Sequence, residues 1–241
     1  MTEVQPSWMG PLAQADARLG QAVRFSVANF KAPGLHAIDY GNGHGVSLIV
    51  SRRFQVDFDP QDFFRNHSPI YRDGFGNAGA QIKWRILSGN AQHGNYIVTA
   101  MLWHGFSPGA YQNGAFSSLW KPTLAVGKGF SRFAVISNIG VVLPTANIYE
   151  QGRTIAWDTT LQSHPTPHIY VDLEENVATF RAGPFDGLTQ NLVTPAVFYL
   201  VRRRNWSPTH TMAVFDCGLQ TATTRFYEYN HNLVTEMRLF F

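Results

Sequence analysis

His231-Asn-Leu-Val-Thr-Glu-Met-Arg-Leu-Phe-Phe241, the last eleven residues, decide how the rest of the chain reads. Leu233, Thr235, Met237, Leu239 and Phe241 fall on one parity, and Glu236 and Arg238 on the other. A period of 2 puts the two sets on opposite faces of a strand. An apolar face ending on an aromatic, backed by a charged face, suits a barrel strand with lipid outside and water inside. A last strand that pairs with an early one closes such a sheet, and Leu239 and Phe241 then form its assembly signal. The last strand of a soluble sandwich is the competing reading of this stretch alone.

Composition points the same way. Charged residues make up 15% of the 241 residues, below the roughly 25% of an average globular protein, while aromatics reach 14% and glycines number 21. Mean hydropathy is -0.15, and no window approaches the roughly 18 to 20 consecutive apolar residues of a transmembrane helix. The net charge of +3 comes from scattered basic residues, which argues against a nucleic-acid partner. The Arg202-Arg203-Arg204 run reads as the polar end of a strand. A single cysteine, Cys217, excludes a disulfide framework and a cysteine-ligated zinc site. It lies in an apolar strand pattern and reads as an inert buried thiol.

The N-terminal Met1-Thr-Glu-Val-Gln-Pro6 lacks the basic and apolar regions of a secretory signal. An outer-membrane destination therefore requires that a leader was removed or that Met1 is not the true start.

Residues 1–19 carry no period and read as a loosely ordered lead-in, with 20–241 as one barrel domain. Gln21 to Phe30 has strand character, and Tyr40-Gly-Asn-Gly-His-Gly45 is a turn cluster. Val46, Leu48, Val50, Phe54, Val56 and Phe58 share one face, opposed by Ser47, Ser51, Arg53, Gln55 and Asp57; Arg52 interrupts the apolar side. The stretch 59–77 reads as a long loop. Ile82, Trp84 and Ile86 alternate with Gln81, Lys83 and Arg85. Strands follow over 95–103, 117–126 and 133–143. Further alternation runs through Ile155–Leu161, Ile169–Glu174 and Ala213–Gln220. Val193 to Arg202 is apolar on both faces, which predicts cover on its inner side. Runs of about 10 residues punctuated by turns, without a sustained helical period, are the signature of a transmembrane barrel. The expectation is an all-β, antiparallel, up-and-down transmembrane β-barrel of about 12 strands, since bacterial single-chain barrels use even numbers.

The inward parity carries Arg53, Lys83, Arg85, Lys121, Arg202 and Arg238 against Asp57, Asp158, Asp172, Glu174, Asp216 and Glu236. These are the candidate lumen-lining residues. Paired locally they imply a plugged or gated interior; segregated into basic and acidic walls they imply a permeation path.

Several stretches together resemble the bacterial outer-membrane β-barrels of the phenol-degradation meta-pathway transporter type. They are Tyr40-Gly-Asn-Gly-His-Gly45, Asp73-Gly-Phe-Gly-Asn77, Lys83-Trp-Arg85, Gly127-Lys-Gly-Phe130, Leu143-Pro-Thr145, Gly152-Arg-Thr-Ile-Ala-Trp157, Thr194-Pro195 and Tyr229-Asn-His-Asn232. Asn77 stands where the family favours an acid, and Ser131 where a glycine is usual. The resemblance implies an outer-membrane location, with outer-membrane lipid and the barrel assembly machinery as partners. It also implies a role in moving small, aromatic or hydrophobic molecules, and it carries over no catalytic residue and no cofactor.

Other chemistry weighs less. Gly105-Phe-Ser-Pro-Gly109 matches a nucleophile-elbow pattern, but Pro108 has no N–H for an oxyanion and no helix follows. His164 and His168 are separated by two prolines that hold the segment extended, so they cannot share a helical face; a loop metal site with Asp172 or Glu174 is the alternative. The glycines of 41–45 precede no lysine and helix and form no phosphate loop. Glu174 and Glu175 are adjacent and point to opposite faces. Two other functions stand beside the channel. One is a soluble, exported sandwich that binds carbohydrate through Trp and Tyr. The other is a barrel-based lipid-modifying enzyme using Ser137, Ser118 or Ser207 with His104 or His210. The channel reading assigns no catalytic, cofactor or metal residue.

Overall fold

The computed structural model describes residues 4–32, 34–68, 70–107, 113–202 and 212–241. The strands are β1 (Ala22–Ala32), β2 (Leu35–Tyr40), β3 (Gly45–Ile49), β4 (Phe54–Asp59), β5 (Phe63–Asn66) and β6 (Gly74–Phe75). They continue with β7 (Ala78–Gly89), β8 (Tyr96–Phe106), β9 (Leu119–Phe130), β10 (Phe133–Pro144) and β11 (Arg153–Ser163). The last four are β12 (Ile169–Arg181), β13 (Thr189–Arg202), β14 (Met212–Ala222) and β15 (His231–Phe240). One short helix, α1 (Ile148–Gln151), lies between β10 and β11.

All pairings are antiparallel, and β15 pairs with both β14 and β1, so the sheet closes into a 12-stranded barrel. Fifteen segments make twelve wall strands because three of those strands are interrupted. β2 and β3 both pair with β1 on either side of the turn at 41–44, β5 continues β4, and β6 leads into β7. Closure leaves no second layer, which excludes the sandwich. The seam is where the terminal alternation placed it, with Phe25 opposite Met237 and Val23 opposite Leu239.

The period of 2 holds around the wall. Phe25, Ile82, Leu124, Ile139, Trp157, Leu173, Phe215, Leu219 and Leu233 all stand exposed on the outside. Such an apolar band is costly in water and suits a lipid surround. Aromatic side chains gather toward both rims: Phe54, Trp84, Tyr96, Phe130 and Phe133 near the end that holds the termini, Phe58, Phe106 and Trp120 near the other. This is the girdle pattern of a membrane barrel.

Several expectations need correction. The alternating run 46–58 is two strands joined by a tight hairpin, not one. Val50 N donates to Phe54 O (3.0 Å), so positions 50 and 54 oppose each other. Antiparallel partners face the same side, and partners of equal parity let one alternation run unbroken through the turn. The 59–77 stretch carries β5 and β6 rather than forming a plain loop. Cys217 is exposed on the outer wall, not buried in a core. Its apolar neighbours alternate toward lipid rather than inward.

The lead-in is the main addition. Residues 4–20 run into the barrel, and Trp8, Met9, Leu12, Ala17 and Leu19 are buried there. Met9 and Leu12 pack on Tyr170, Ala196, Phe198, Leu200, Val214 and Val234. Trp8 and Ala17 pack on Ile97, Met101, Ala125, Ala134 and Ile136. The inner face of β13, apolar on both sides by sequence, is covered by this segment.

Candidate functional site

The lumen is the only face of a closed barrel where polar side chains from every wall strand converge. Its inward positions include Gln55, Asp57, Lys83, Arg85, Thr99, Asn138, Asp158, Gln162, Asp172, Glu174, Gln220, Glu236 and Arg238, all buried. Residues 4–20 form a plug that these groups hold.

The plug closes on itself first. The Gln5 side chain donates to Leu19 O (2.6 Å) and accepts from Leu19 N (3.0 Å), which ties the two ends of a loop together. An irregular segment leaves many backbone groups without partners, and buried ones must be satisfied. The wall supplies them. Gln162 accepts from Met9 N (2.7 Å) and donates to Met9 O (3.0 Å). The Glu174 carboxylate accepts from Leu12 N (2.6 Å) and Ala13 N (2.9 Å). Arg238 donates to Gly10 O (2.8 Å) and Pro11 O (2.9 Å). Lys83 Nζ reaches Asp16 O (3.0 Å), Thr99 Oγ1 reaches Ala17 O (2.5 Å), and Gln55 accepts from Gly20 N (2.7 Å). Strands from β4 around to β15 thus grip one short segment.

Glycines on the wall make room for it. A Cβ at Gly127 or Gly129 would come within 2.8 Å of the Trp8 ring, and one at Gly218 within 2.7 Å of Leu12. The Gly127-Lys-Gly-Phe130 motif is thus a flat patch on which Trp8 lies.

Charge is handled locally. Arg238 pairs with Asp216 (3.0 Å) and with Glu236, and its guanidinium sits over the Phe198 ring at 5.6 Å. Lys83 lies 3.8 Å from Asp57, Arg24 3.3 Å from Asp59, and Arg18 3.2 Å from Asp16. Asp172 accepts from Gln162 (3.0 Å) and Asp158 from Asn176 (3.1 Å). A further chain runs from Tyr229 to Gln220 (2.7 Å) to Asn176 (3.1 Å), tying the segment between β14 and β15 to the wall. Asp158 on β11, Asp172 and Glu174 on β12, and the buried Asp39 on β2 have no cation within 4 Å among the described residues. Within the plug, burial alone would raise the Asp16 carboxyl. The nearby Arg18 and Lys83 charges outweigh that and hold it below the ordinary carboxylate range.

Beside the plug remains a cavity of about 450 Å³, lined in part by Arg24, Asp57, Trp103, Lys121, Thr123 and Glu236.

Of the residues singled out from sequence, Asp57, Lys83, Arg85, Asp158, Asp172, Glu174, Asp216, Glu236 and Arg238 point inward and are buried, and Lys121 lines the cavity. Arg53 does not belong with them. It is exposed in the β3–β4 turn, where parity continues but the wall does not. Arg203 and Arg204 lie outside the described residues. Leu239 and Phe241 face outward at the seam, and Phe241 N donates to Gln21 O (3.2 Å). Sequence reasoning missed Arg24 and Trp103. It allowed a plugged interior and cover over the inner face of β13, but it did not assign either to residues 4–20.

The other chemistry finds little support. On the outer wall, the Ser137 hydroxyl donates to Asp158 O (2.9 Å), contacts Thr159 Oγ1 (3.1 Å) and accepts from Trp157 Nε1 (3.0 Å), with no imidazole among these partners. His104 packs between Phe106 and Trp120. Ser207, His210, Pro108 and Gly109 lie outside the described residues. His168 Nδ1 contacts Leu200 O (3.0 Å) and His164 lies against the Tyr170 ring. Among the described residues no three His, Cys, Asp or Glu side chains converge as ligands.

A closed 12-stranded antiparallel barrel, apolar outside and polar within, is the fold of outer-membrane channel proteins. The NanC porin superposes with a TM-score of 0.58 at 6% identity, over 91% of this chain and 98% of that one. An outer membrane channel from Pseudomonas putida F1 superposes with a TM-score of 0.54 at 12% identity, over 96% of this chain and all of that one. At such identities the likeness concerns the fold. No family model and no curated protein sequence matches the chain.

Proposed function

We propose that this protein is a passive outer-membrane channel for small molecules, with its lumen narrowed by residues 4–20. The observation that carries the reading is the closed wall, which turns an apolar face outward and, beside two apolar patches covered by residues 4–20, many charged and amide side chains inward. Such a wall is stable in lipid, and its interior is the one polar route across it. Lumen charges then set local field and width, and hence selectivity. The channel fold of the two structural neighbours supports this reading. The meta-pathway resemblance would make the permeants small aromatic or hydrophobic molecules. Outer-membrane lipid would surround the barrel, and the assembly machinery would recognise the seam ending at Phe241.

Planar-bilayer recording of the detergent-refolded protein tests the reading. Small, voltage-independent steps are expected from the plugged form. A protein that inserts but never conducts, with or without residues 4–19, would overturn it.

A further inference from the structure

The cavity beside the plug contains a cation and an aromatic ring placed side by side. Trp103 on β8 and Lys121 on β9 are directly opposite each other in the strand register and both face inward. Opposite residues on one face of an antiparallel pair sit about 4.5–5.5 Å apart at Cβ.

The Trp103 ring is held in a defined pose. Gly79 and Gly105 are themselves cross-strand partners. A Cβ on Gly79 would fall within 2.8 Å of indole atoms Nε1, Cε2 and Cζ2, and one on Gly105 within 2.6 Å of Cη2 and Cζ3. The indole therefore lies along bare backbone on one face. Its N–H donates to Asp59 (3.1 Å), which fixes its rotation. Trp103 also lines the cavity.

Lys121 is the cation left over. The carboxylates lining the cavity (Asp16, Asp57, Asp59 and Glu236) each have a cation within 4 Å, as described above. Lys121 has neither a direct ion pair nor a hydrogen bond among the described residues, and its charge is felt at Asp158. An ammonium free of a close partner next to a flat π-face can hold a carboxylate and the ring that bears it at once.

From this geometry we propose that the cavity is a binding site for a small aromatic carboxylate, with its ring stacked on Trp103 and its carboxylate on Lys121. The proposal rests on the channel reading for its physiological sense and names the solute class that the channel would select.

Isothermal titration of benzoate into the folded, detergent-solubilised protein tests it, against benzamide (ring without charge), acetate (charge without ring) and glucuronate (charge on a sugar ring). Benzoate should bind at least about tenfold more tightly than the other three, the size of one charge-assisted contact or one stacked ring. Lys121→Met should bring benzoate down to the benzamide level, and Trp103→Leu down to the acetate level. Variants are compared only when unboiled samples keep the folded mobility on SDS gels. Equal binding of acetate and benzoate, or an unchanged Lys121→Met, would overturn the proposal. Glucuronate binding as tightly as benzoate would overturn the choice of an aromatic ring. The probes are applied to wild type as well, so the result stands if a variant fails to fold. Wild-type conductance is recorded separately: conduction without benzoate binding removes this inference and leaves the channel, whereas binding without conduction removes the channel.

Discussion

Glu174 illustrates how much of the lumen depends on single side chains. Its carboxylate accepts two plug amides at a site with no exposure to solvent. Glu174→Gln exchanges one acceptor oxygen for a donor, which leaves a buried N–H facing another donor. The penalty for an unsatisfied buried group is about 1–3 kcal/mol. Exchange of the Leu12 and Ala13 amides with deuterium should accelerate about tenfold or more, while wall amides are unchanged; equal exchange in the two proteins would show that the carboxylate does not hold the plug. Asp16 adds a dependence on pH. Its value is lowered in the folded protein, so its contribution is fully present above the ordinary 3.8 and is lost as pH falls through the lower folded value. Asp16→Asn should therefore raise conductance at neutral pH and flatten its rise in acid below pH 4. A variant with the wild-type acid response would remove Asp16 from the account.

At the scale of elements, the plug and the wall depend on each other unequally. The wall strands satisfy their backbone groups laterally, so deleting residues 4–19 should leave the barrel closed and heat-modifiable on SDS gels. The apolar patches around Phe198 and Ile136 would then face water, and single-channel conductance should rise several-fold. A deletion that conducts like wild type would mean that the segment does not limit flow. The plug in turn needs the glycine patch. Gly127→Val places methyl groups where the Trp8 ring lies, and overpacking of this kind costs about 1–3 kcal/mol. Trp8 should be displaced, seen as a change in tryptophan fluorescence together with larger conductance steps.

For the whole molecule the decisive event is closure. β15 shares ten register pairs with β1 and ten with β14, and removing it from the twelve-stranded barrel would leave an open sheet of eleven strands with two free edges. Phe241→Asp, or removal of the last three residues, should abolish assembly, checked as loss of the folded band when boiled and unboiled samples are run side by side. Wild-type amounts of the folded band from the truncated chain would show that the seam does not need its terminal aromatic. The wild type itself should keep its folded mobility in SDS until heated.

The sequence by itself determined the wall. Alternation in stretches such as 231–241, 153–163 and 212–222 sorts each residue to lipid or lumen, because the pleat has a period of 2 whatever the strand packs against. From this came the barrel class, the strand number and the inward placement of Lys83, Arg85, Asp172, Glu174, Asp216 and Arg238. Parity was also the source of the error at Arg53, since an alternation that passes through a tight hairpin carries no mark of the turn. What only the tertiary structure decided is where residues 4–20 go and what the inward charges do. That segment has no period, and its course is set by partners more than a hundred residues away, such as Gln162, Glu174 and Arg238. The same holds for Trp103 and Lys121, which come face to face only through the β8–β9 register. Local pattern reports which side of the wall a residue faces; closure decides which residues meet across the space inside it.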